Sequence, residues 1–393
     1  MKILHIVSSY WPAFEFGGPI TSVHFLNRWL VKNGLDITVY TTNAGLRGRE
    51  DVVLKKETII DGVKIYYFPY YGYVHWTFSP ALFWALAKNI KKFDLIHITG
   101  VWNFPVSAAA FWTRFYRKPY IISSRGSLMK EPLEKKSSLK KKIYLVLFSK
   151  KDLKFASAIH FTVEQEKEEY LKASLPLKKA IVIPNGLDAE EFNTITRDSI
   201  EFRKKFGIAA DKKIILFLSR LNWKKGLDTL IPAFSEVLKK EPKAVLVLAG
   251  PDDEGYKKNI QLLITNYQLQ DNIIFTGMLV GEDKVAVFQE SSVFVLPSYS
   301  ENFGQVVVEA MYFGLPVIIT KNVGISPSVI RAEAGLVIDK DENQLAEAIL
   351  KILENPELRR KMGQKGKKLV ETEFSSEKVA ENWIEEYNNL INV

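Results

Sequence analysis

A chain of 393 residues exceeds what one ordinary hydrophobic core organises, so two domains are expected. With 47% hydrophobic and 25% charged residues the composition is that of a globular protein, and the absence of cysteine removes disulfides, thiolate nucleophiles and cysteine metal sites. The formal net charge of +9 points to anionic partners such as phosphates or lipid headgroups, and its placement decides which.

The opening apolar run, Ile3–Val7, is too short for a signal-peptide core, and no stretch approaches the roughly 20 apolar residues that cross a bilayer. The expectation is a cytoplasmic enzyme, peripheral on the inner face of the cell membrane if a membrane matters. Short apolar strands then alternate with helical patterns, the sequence form of βαβ units and parallel sheets. A first series runs Ile3–Val7, Asp36–Thr42, Val63–Phe68, Leu95–Ile98, Tyr120–Ser123, Ala158–Phe161 and Ile181–Ile183. A second starts afresh with Ile214–Ser219, Ala244–Ala249, Ile273–Thr276, Val293–Leu296, Val317–Thr320 and Leu336–Ile338. These divide the chain into residues 1–185 and 186–374, with the boundary between Pro184 and about Asp211, where the strand runs into Asn185, Gly186 and a polar segment without a clear period; a final helix over 375–393 carries an apolar stripe of Val379, Trp383, Tyr387 and Leu390.

Ligands of open α/β sheets bind beyond the carboxyl ends of strands, so the loops there carry the functional reading. After the first strand, Phe16-Gly17-Gly18-Pro19 opens a helix whose free N–H groups suit an anion; a plain turn is the alternative. Lysines from Lys130 to Lys154, interrupted by apolar Ile143–Phe148, read either as an amphipathic helix for an anionic membrane surface or as a solvated helix. After Ile214–Ser219, Arg220 leaves the strand and Lys225 precedes a helix beginning near Leu227, so two cations meet beside a helix N-terminus in a diphosphate-binding design.

The strongest signal is Pro297-Ser298-Tyr299-Ser300-Glu301-Asn302-Phe303-Gly304, followed by an apolar helix with Glu309 seven residues beyond Glu301. A helix from Phe303 puts phosphates at its N-terminus and Glu309 about two turns in, where a carboxylate among valines needs partners. Otherwise Glu301 is a cap and Glu309 a solvated residue. One Asp-x-Asp triplet exists, Asp339-Lys340-Asp341, but Asp341 with Gln344 makes a helix capping box, and Asp252-Asp253 reads as a turn. No metal site is therefore expected. The aromatics crowding the first half, among them Tyr70, Trp76, Trp84, Trp102 and Trp112, read mainly as core, with some as stacking faces of an acceptor site for sugar or lipid.

SYSENFGQVVVEAMYFGLPVI, with SRLNWKKGLDTLIPAF, VIPNGLDAEEF and the early FGGP, closely resembles family 4 retaining glycosyltransferases across essentially the whole chain. The resemblance implies a GT-B fold, two Rossmann-like parallel-sheet α/β domains facing across a cleft, the first taking the acceptor and the second a nucleotide sugar. It implies that Arg220 and Lys225 neutralise the donor diphosphate, Glu301 touches the transferred sugar and Glu309 the ribose. Asn302 and the backbone of Phe303, Gly304 and Gln305 would complete the donor site. Gly17 and Gly18 would face the diphosphate from the first domain, Gly250 would line the cleft, and the Thr276–Met278 loop would hold the base. The last helix would return to the first domain.

One position departs from the pattern. Where family members carry a histidine after Tyr120–Ser123, this chain has Arg125, which stays protonated and cannot act as a base. It would bind donor phosphate or an anionic acceptor, or form a structural salt bridge; His97 reads as a core residue. The expected activity is metal-independent retaining transfer of a hexose-type sugar to a saccharide or lipid-linked saccharide, with no cofactor. A same-fold epimerase or phosphorylase and a noncatalytic sugar-binding protein are the rivals; a nucleic-acid binder explains the charge but neither glutamate.

Overall fold

The computed structural model describes residues 1–14, 17–46, 48–49, 52–130, 144–193, 199–252 and 254–392. The chain divides into two compact units, Met1–Gly186 with Ser376–Val393, and Leu187–Ser375.

The first unit contains β1 (Lys2–Val7), α1 (Gly18–Lys32), β2 (Asp36–Thr42), β3 (Glu57–Ile60), β4 (Val63–Phe68), α2 (Pro80–Asn89), β5 (Leu95–Thr99), α3 (Phe104–Phe115) and β6 (Tyr120–Ser123). It continues through α4 (Lys150–Phe155), β7 (Ala158–Phe161), α5 (Glu164–Lys172) and β8 (Ala180–Val182). Their sheet runs β3-β4-β2-β1-β5-β6-β7-β8, parallel except for β3 on β4. Strands buried on both faces need continuous apolar runs, and β5 (LIHIT) and β6 (YIIS) are buried throughout. β3 lies outside the expected strand list; it forms a hairpin with β4 through Asp61 and Gly62, both at positive φ (50° and 78°).

The second unit contains α6 (Glu190–Asn193), α7 (Ser199–Lys205), β9 (Lys213–Leu218), α8 (Leu227–Lys240), β10 (Ala244–Ala249), α9 (Lys257–Asn266), β11 (Ile273–Gly277), α10 (Gly281–Glu290) and β12 (Ser291–Leu296). α11 (Gln305–Tyr312), β13 (Val317–Thr320), α12 (Ser326–Ala332), β14 (Gly335–Ile338), α13 (Glu342–Leu353) and α14 (Pro356–Leu369) come next. Its sheet is parallel throughout, in the order β11-β10-β9-β12-β13-β14.

The last helix, α15 (Ser376–Ile391), belongs to the first unit. Val379, Ala380, Trp383 and Tyr387 are buried in one cluster with Val23, Leu26 and Leu30 of α1 and with Ile121, Ala158 and Ile181 of the sheet. Burying such a face stabilises by about 1.5–3 kcal/mol per large side chain, which is what holds a segment so distant in sequence onto this unit.

Candidate active site

The second sheet reverses its strand order between β9 and β12, since β10 and β11 lie on one side of β9 and β12 to β14 on the other. The loops leaving β9 and β12 therefore sit side by side at a topological switch point, where open α/β sheets bind ligands. Gly226 lets the β9 loop approach the β12 loop, and Gly250 lets the β10 loop approach the end of β9. A Cβ on Gly226 (φ 73°) would lie 1.9 Å from the Pro297 carbonyl oxygen, and one on Gly250 (φ 141°) 1.9 Å from that of Ser219, so no side chain fits at either position. The Tyr299 N–H donates to the Lys224 carbonyl at 2.7 Å, and the Tyr299 hydroxyl donates to Asp228.

This stitching places Lys225 against Glu301. The ammonium donates to the Glu301 carboxylate, and the two side chains are only 13% and 23% exposed. The resemblance gives these residues separate ligands; in the structure they form an ion pair. An ammonium has three donors, so Lys225 keeps capacity for a further acceptor. Glu301 is fixed at its backbone too, donating to the Asn322 carbonyl (3.0 Å) and accepting from the Gly324 N–H (2.9 Å). Arg220 is exposed and makes no hydrogen bond or ion pair among the described residues. The β10 and β11 ends join the same edge: the Gly250 N–H donates to the Gly277 carbonyl at 2.8 Å, half-buried Thr276 precedes it, and Met278 is exposed.

α11 begins at Gln305, two residues later than the expected Phe303, because Gly304 at φ 94° is its N-cap. Glu309 is consequently the fifth helical residue, little more than one turn in rather than two. Phe303 is core, its ring 5.8 Å from that of Phe374. Asn302 and Gln305 are half-buried beside it. The helix has no acidic residue in its first turn and no side-chain hydrogen bond at its cap, and the positive end of its dipole lies there. Glu309 has the partner its apolar surroundings require: Lys284 Nζ donates to its Oε1 at 2.9 Å. Burial alone would lower the Lys284 pKa, but Glu309 and then Glu191 outweigh it and raise the pKa above the ordinary value. Sequence reading misses Lys284, whose signal is its place just before the buried run Val285–Phe288.

In the first unit Gly17 (φ 77°) caps α1, and among the described residues, chain neighbours and the α1 backbone aside, nothing lies within 4 Å of a Cβ built on Gly17 or Gly18. Phe16 lies outside the described residues. Arg125, at φ 50°, reaches the first turns of α1: its Nη1 donates to Ser22 Oγ at 3.1 Å and to Asn185 Oδ1, while its Nε makes no hydrogen bond among the described residues. These partners are neutral, so the salt-bridge reading of Arg125 is replaced by one of neutral hydrogen bonds, and neither Ser22 nor Asn185 stands out from sequence. Buried Glu166 holds the loop, accepting from the Gly126 N–H and Ser124 Oγ at 2.5 Å each. Burial pushes the guanidinium down to about 10, with Glu166 and Tyr387 opposing, so it remains a cation at neutral pH.

Behind it lies a buried polar chain. His97 Nδ1 meets the Tyr387 hydroxyl at 2.7 Å and its Nε2 meets Ser123 Oγ at 2.6 Å; Ser123 meets His160 at 2.8 Å, and His5 stacks on His97 at 4.3 Å. His97 is thus a satisfied core residue, as its sequence context suggests.

Asp341 caps α13 by accepting from the Gln344 N–H at 2.8 Å, and Asp339 pairs with Lys321. Asp252 accepts from the Lys257 N–H at 3.1 Å; Asp253 lies outside the described residues. Of the basic segment, Lys135, Lys136, Lys140, Lys141, Lys142 and Ile143 also lie outside them. At the amino ends of β6–β8, a groove of about 1020 Å³ is lined by Phe111, Phe115 and Phe155 together with Arg117, Lys151 and Lys178. These three cations make no ion pair among the described residues. No helix among the described residues is long and apolar enough to cross a membrane.

Residues 16–191 match the family model of Glycosyltransferase Family 4, and residues 198–369 that of Glycosyl transferases group 1. An uncharacterised glycosyltransferase of Methanocaldococcus jannaschii is 26% identical over 98% of both chains. The α-monoglucosyldiacylglycerol synthase of Streptococcus pneumoniae is 27% identical over 90% of this chain and 78% of its own. Among solved structures, sucrose-phosphate synthase from Thermosynechococcus elongatus superposes with a TM-score of 0.75 at 24% identity, covering 100% of this chain and 99% of that one. HepE of Anabaena, solved with UDP-glucose, superposes with a TM-score of 0.77 at 20% identity over 99% and 100%. Two parallel-sheet units, a switch-point loop pair and two family models that meet near residue 195 lead to one assignment: the chain belongs to the family 4, group 1 glycosyltransferases of the GT-B fold.

Proposed function

We propose that the protein is a retaining, metal-independent hexosyltransferase that moves a sugar from a nucleoside-diphosphate donor to a hydroxyl of a saccharide or lipid-linked saccharide. The observation that carries this reading is the Lys225–Glu301 pair at the β9/β12 switch point, with Arg220 and the glycine-capped α11 N-terminus on the same sheet edge. Fixed cations next to a carboxylate suit a ligand that presents phosphate and sugar hydroxyls side by side. The UDP-sugar complexes of a similarly folded protein support a nucleotide donor.

In the proposed step the acceptor hydroxyl approaches the anomeric carbon on the face from which the diphosphate departs. The carbon–phosphate-oxygen bond breaks, the carbon–acceptor-oxygen bond forms, and the acceptor's proton passes to the departing phosphate oxygen. Arg220 and Lys225 stabilise the charge that develops on the leaving diphosphate, so no divalent ion is called for. Glu301 accepts from the transferred sugar, Glu309 from the ribose, and Asn302 with the Phe303–Gln305 backbone completes the phosphate site. Gly250 and the Thr276–Met278 loop border the nucleoside. In the first unit, Gly17 and Gly18 open the α1 N-terminus to an anionic group, and Arg125, a cation at neutral pH, binds an anionic group rather than taking a proton.

The groove with Arg117, Lys151 and Lys178 among exposed phenylalanines supports an anionic membrane surface as a further partner, and with it a peripheral location. The activity is tested with purified protein and a panel of UDP, GDP and ADP sugars, measuring release of nucleoside diphosphate with and without acceptor. Acceptor-dependent release with one donor supports transfer. Release of sugar phosphate with inorganic phosphate alone would mark a phosphorylase instead.

A further inference from the structure

Glu309 has two carboxylate oxygens with different surroundings. Oε1 accepts from Lys284 Nζ at 2.9 Å, whereas Oε2 makes no hydrogen bond among the described residues. The two side chains are only 20% and 12% exposed, so water competes little for either. The helix is held around Glu309 by buried Val307, Val308, Ala310 and Met311.

The ammonium is itself fixed from several sides. Lys284 precedes the buried run Val285–Phe288 of α10, which limits where its stem can go. Its Nζ lies 5.7 Å from the centre of the Phe192 ring, and Phe192 packs 5.5 and 5.1 Å from the rings of Tyr312 and Phe313 at the end of α11. The exposed Glu191 acts on the same ammonium electrostatically. Two carboxylates act on one cation here, and the free oxygen of Glu309 suits a ligand that donates hydroxyl hydrogens.

We propose that Lys284 is a positioning residue: it anchors one oxygen of Glu309 so that the other is presented at a fixed angle to a hydroxyl of the donor's ribose. This rests on the donor role proposed for Glu309. The α6 segment after the chain enters the second unit, Glu191 and Phe192, then serves the donor site by caging the Lys284 ammonium, which gives the AEEF end of the VIPNGLDAEEF motif a function.

The test compares Lys284→Met, Lys284→Arg, Glu309→Ala and the Lys284→Met/Glu309→Ala double variant, each checked for cooperative thermal unfolding. Donor KM, kcat and the Kd of the free nucleoside diphosphate are measured. Lys284→Met is expected to raise donor KM and nucleotide Kd about tenfold with kcat within about twofold of wild type, because binding rather than the chemical step is affected. Lys284→Arg is expected to recover most of the loss, and adding Lys284→Met to Glu309→Ala to change nothing further. If Glu309→Ala weakens the nucleotide but Lys284→Met does not, or if the two effects add, the positioning role is overturned while the donor role of Glu309 stands. If Glu309→Ala leaves donor KM unchanged, the donor role fails, and the positioning role with it.

Discussion

Replacing Lys225 by methionine keeps the length of the side chain and removes its charge. Glu301, 23% exposed and with no other side-chain hydrogen bond among the described residues, then loses its cation. Losing a hydrogen bond between charged groups costs about 1.5–3 kcal/mol. In a unit of this size that lowers Tm by about 3–12 °C. The catalytic loss should be larger: removing one preorganised group from developing charge costs about 10²–10³ in kcat, or about 2.7–4 kcal/mol. Initial rates of acceptor-dependent nucleotide release, with thermal unfolding in parallel, measure both. The Lys225→Met/Glu301→Gln double variant separates them. With both charges gone the Tm should return to near wild type, while transfer should not recover. Turnover by Lys225→Met within about threefold of wild type would refute the assigned role, whatever its Tm.

Three further outcomes are expected. Burial, reinforced by the charge of Arg125, holds the His5 and His160 pKa values down to about 4 and about 3, below the unfolded value near 6.5. The stability they contribute is therefore complete above about pH 6.5 and is lost as pH falls through that value toward the folded ones, by about 2 kcal/mol each at pH 5; equal denaturant midpoints at pH 7.5 and 5 would contradict this. Arg125→Gln should lower transfer at least tenfold while the second unit still binds nucleoside diphosphate with unchanged Kd by calorimetry, and unchanged transfer would remove Arg125 from the site. Vesicles containing phosphatidylglycerol should sediment the wild type at low salt, and charge reversal of Arg117, Lys151 and Lys178 should release it; equal sedimentation of the two would exclude the groove as the docking surface.

The parts of the structure that are legible in sequence are those set by local pattern. β5 and β6 announce themselves because doubly buried strands admit almost only apolar residues, and the loops after β9 and β12 are located by the carboxyl ends of such strands. β3 escapes because ETII is short and half exposed, although the Asp61-Gly62 turn beside it is a readable hairpin signal. The start of α11 reads two residues early because Phe303 fits a helix as well as it fits the core, and only the left-handed Gly304 decides between them. Which side chains meet across long separations is not carried by local pattern. Arg125 finds Ser22 and Asn185 at 103 and 60 residues' distance, and Lys225 finds Glu301 at 76, through strand order rather than through any motif.

The central claim is retention without a metal, and the stereochemistry of the product tests it most directly. With the donor identified from the UDP, GDP and ADP sugar panel, an α-linked nucleotide sugar is incubated with acceptor in excess EDTA, and the anomeric proton of the product is read by NMR. An α-linked product formed at the same rate with or without EDTA is expected. A β-linked product, or transfer that stops in EDTA and resumes on adding a divalent cation, would contradict it.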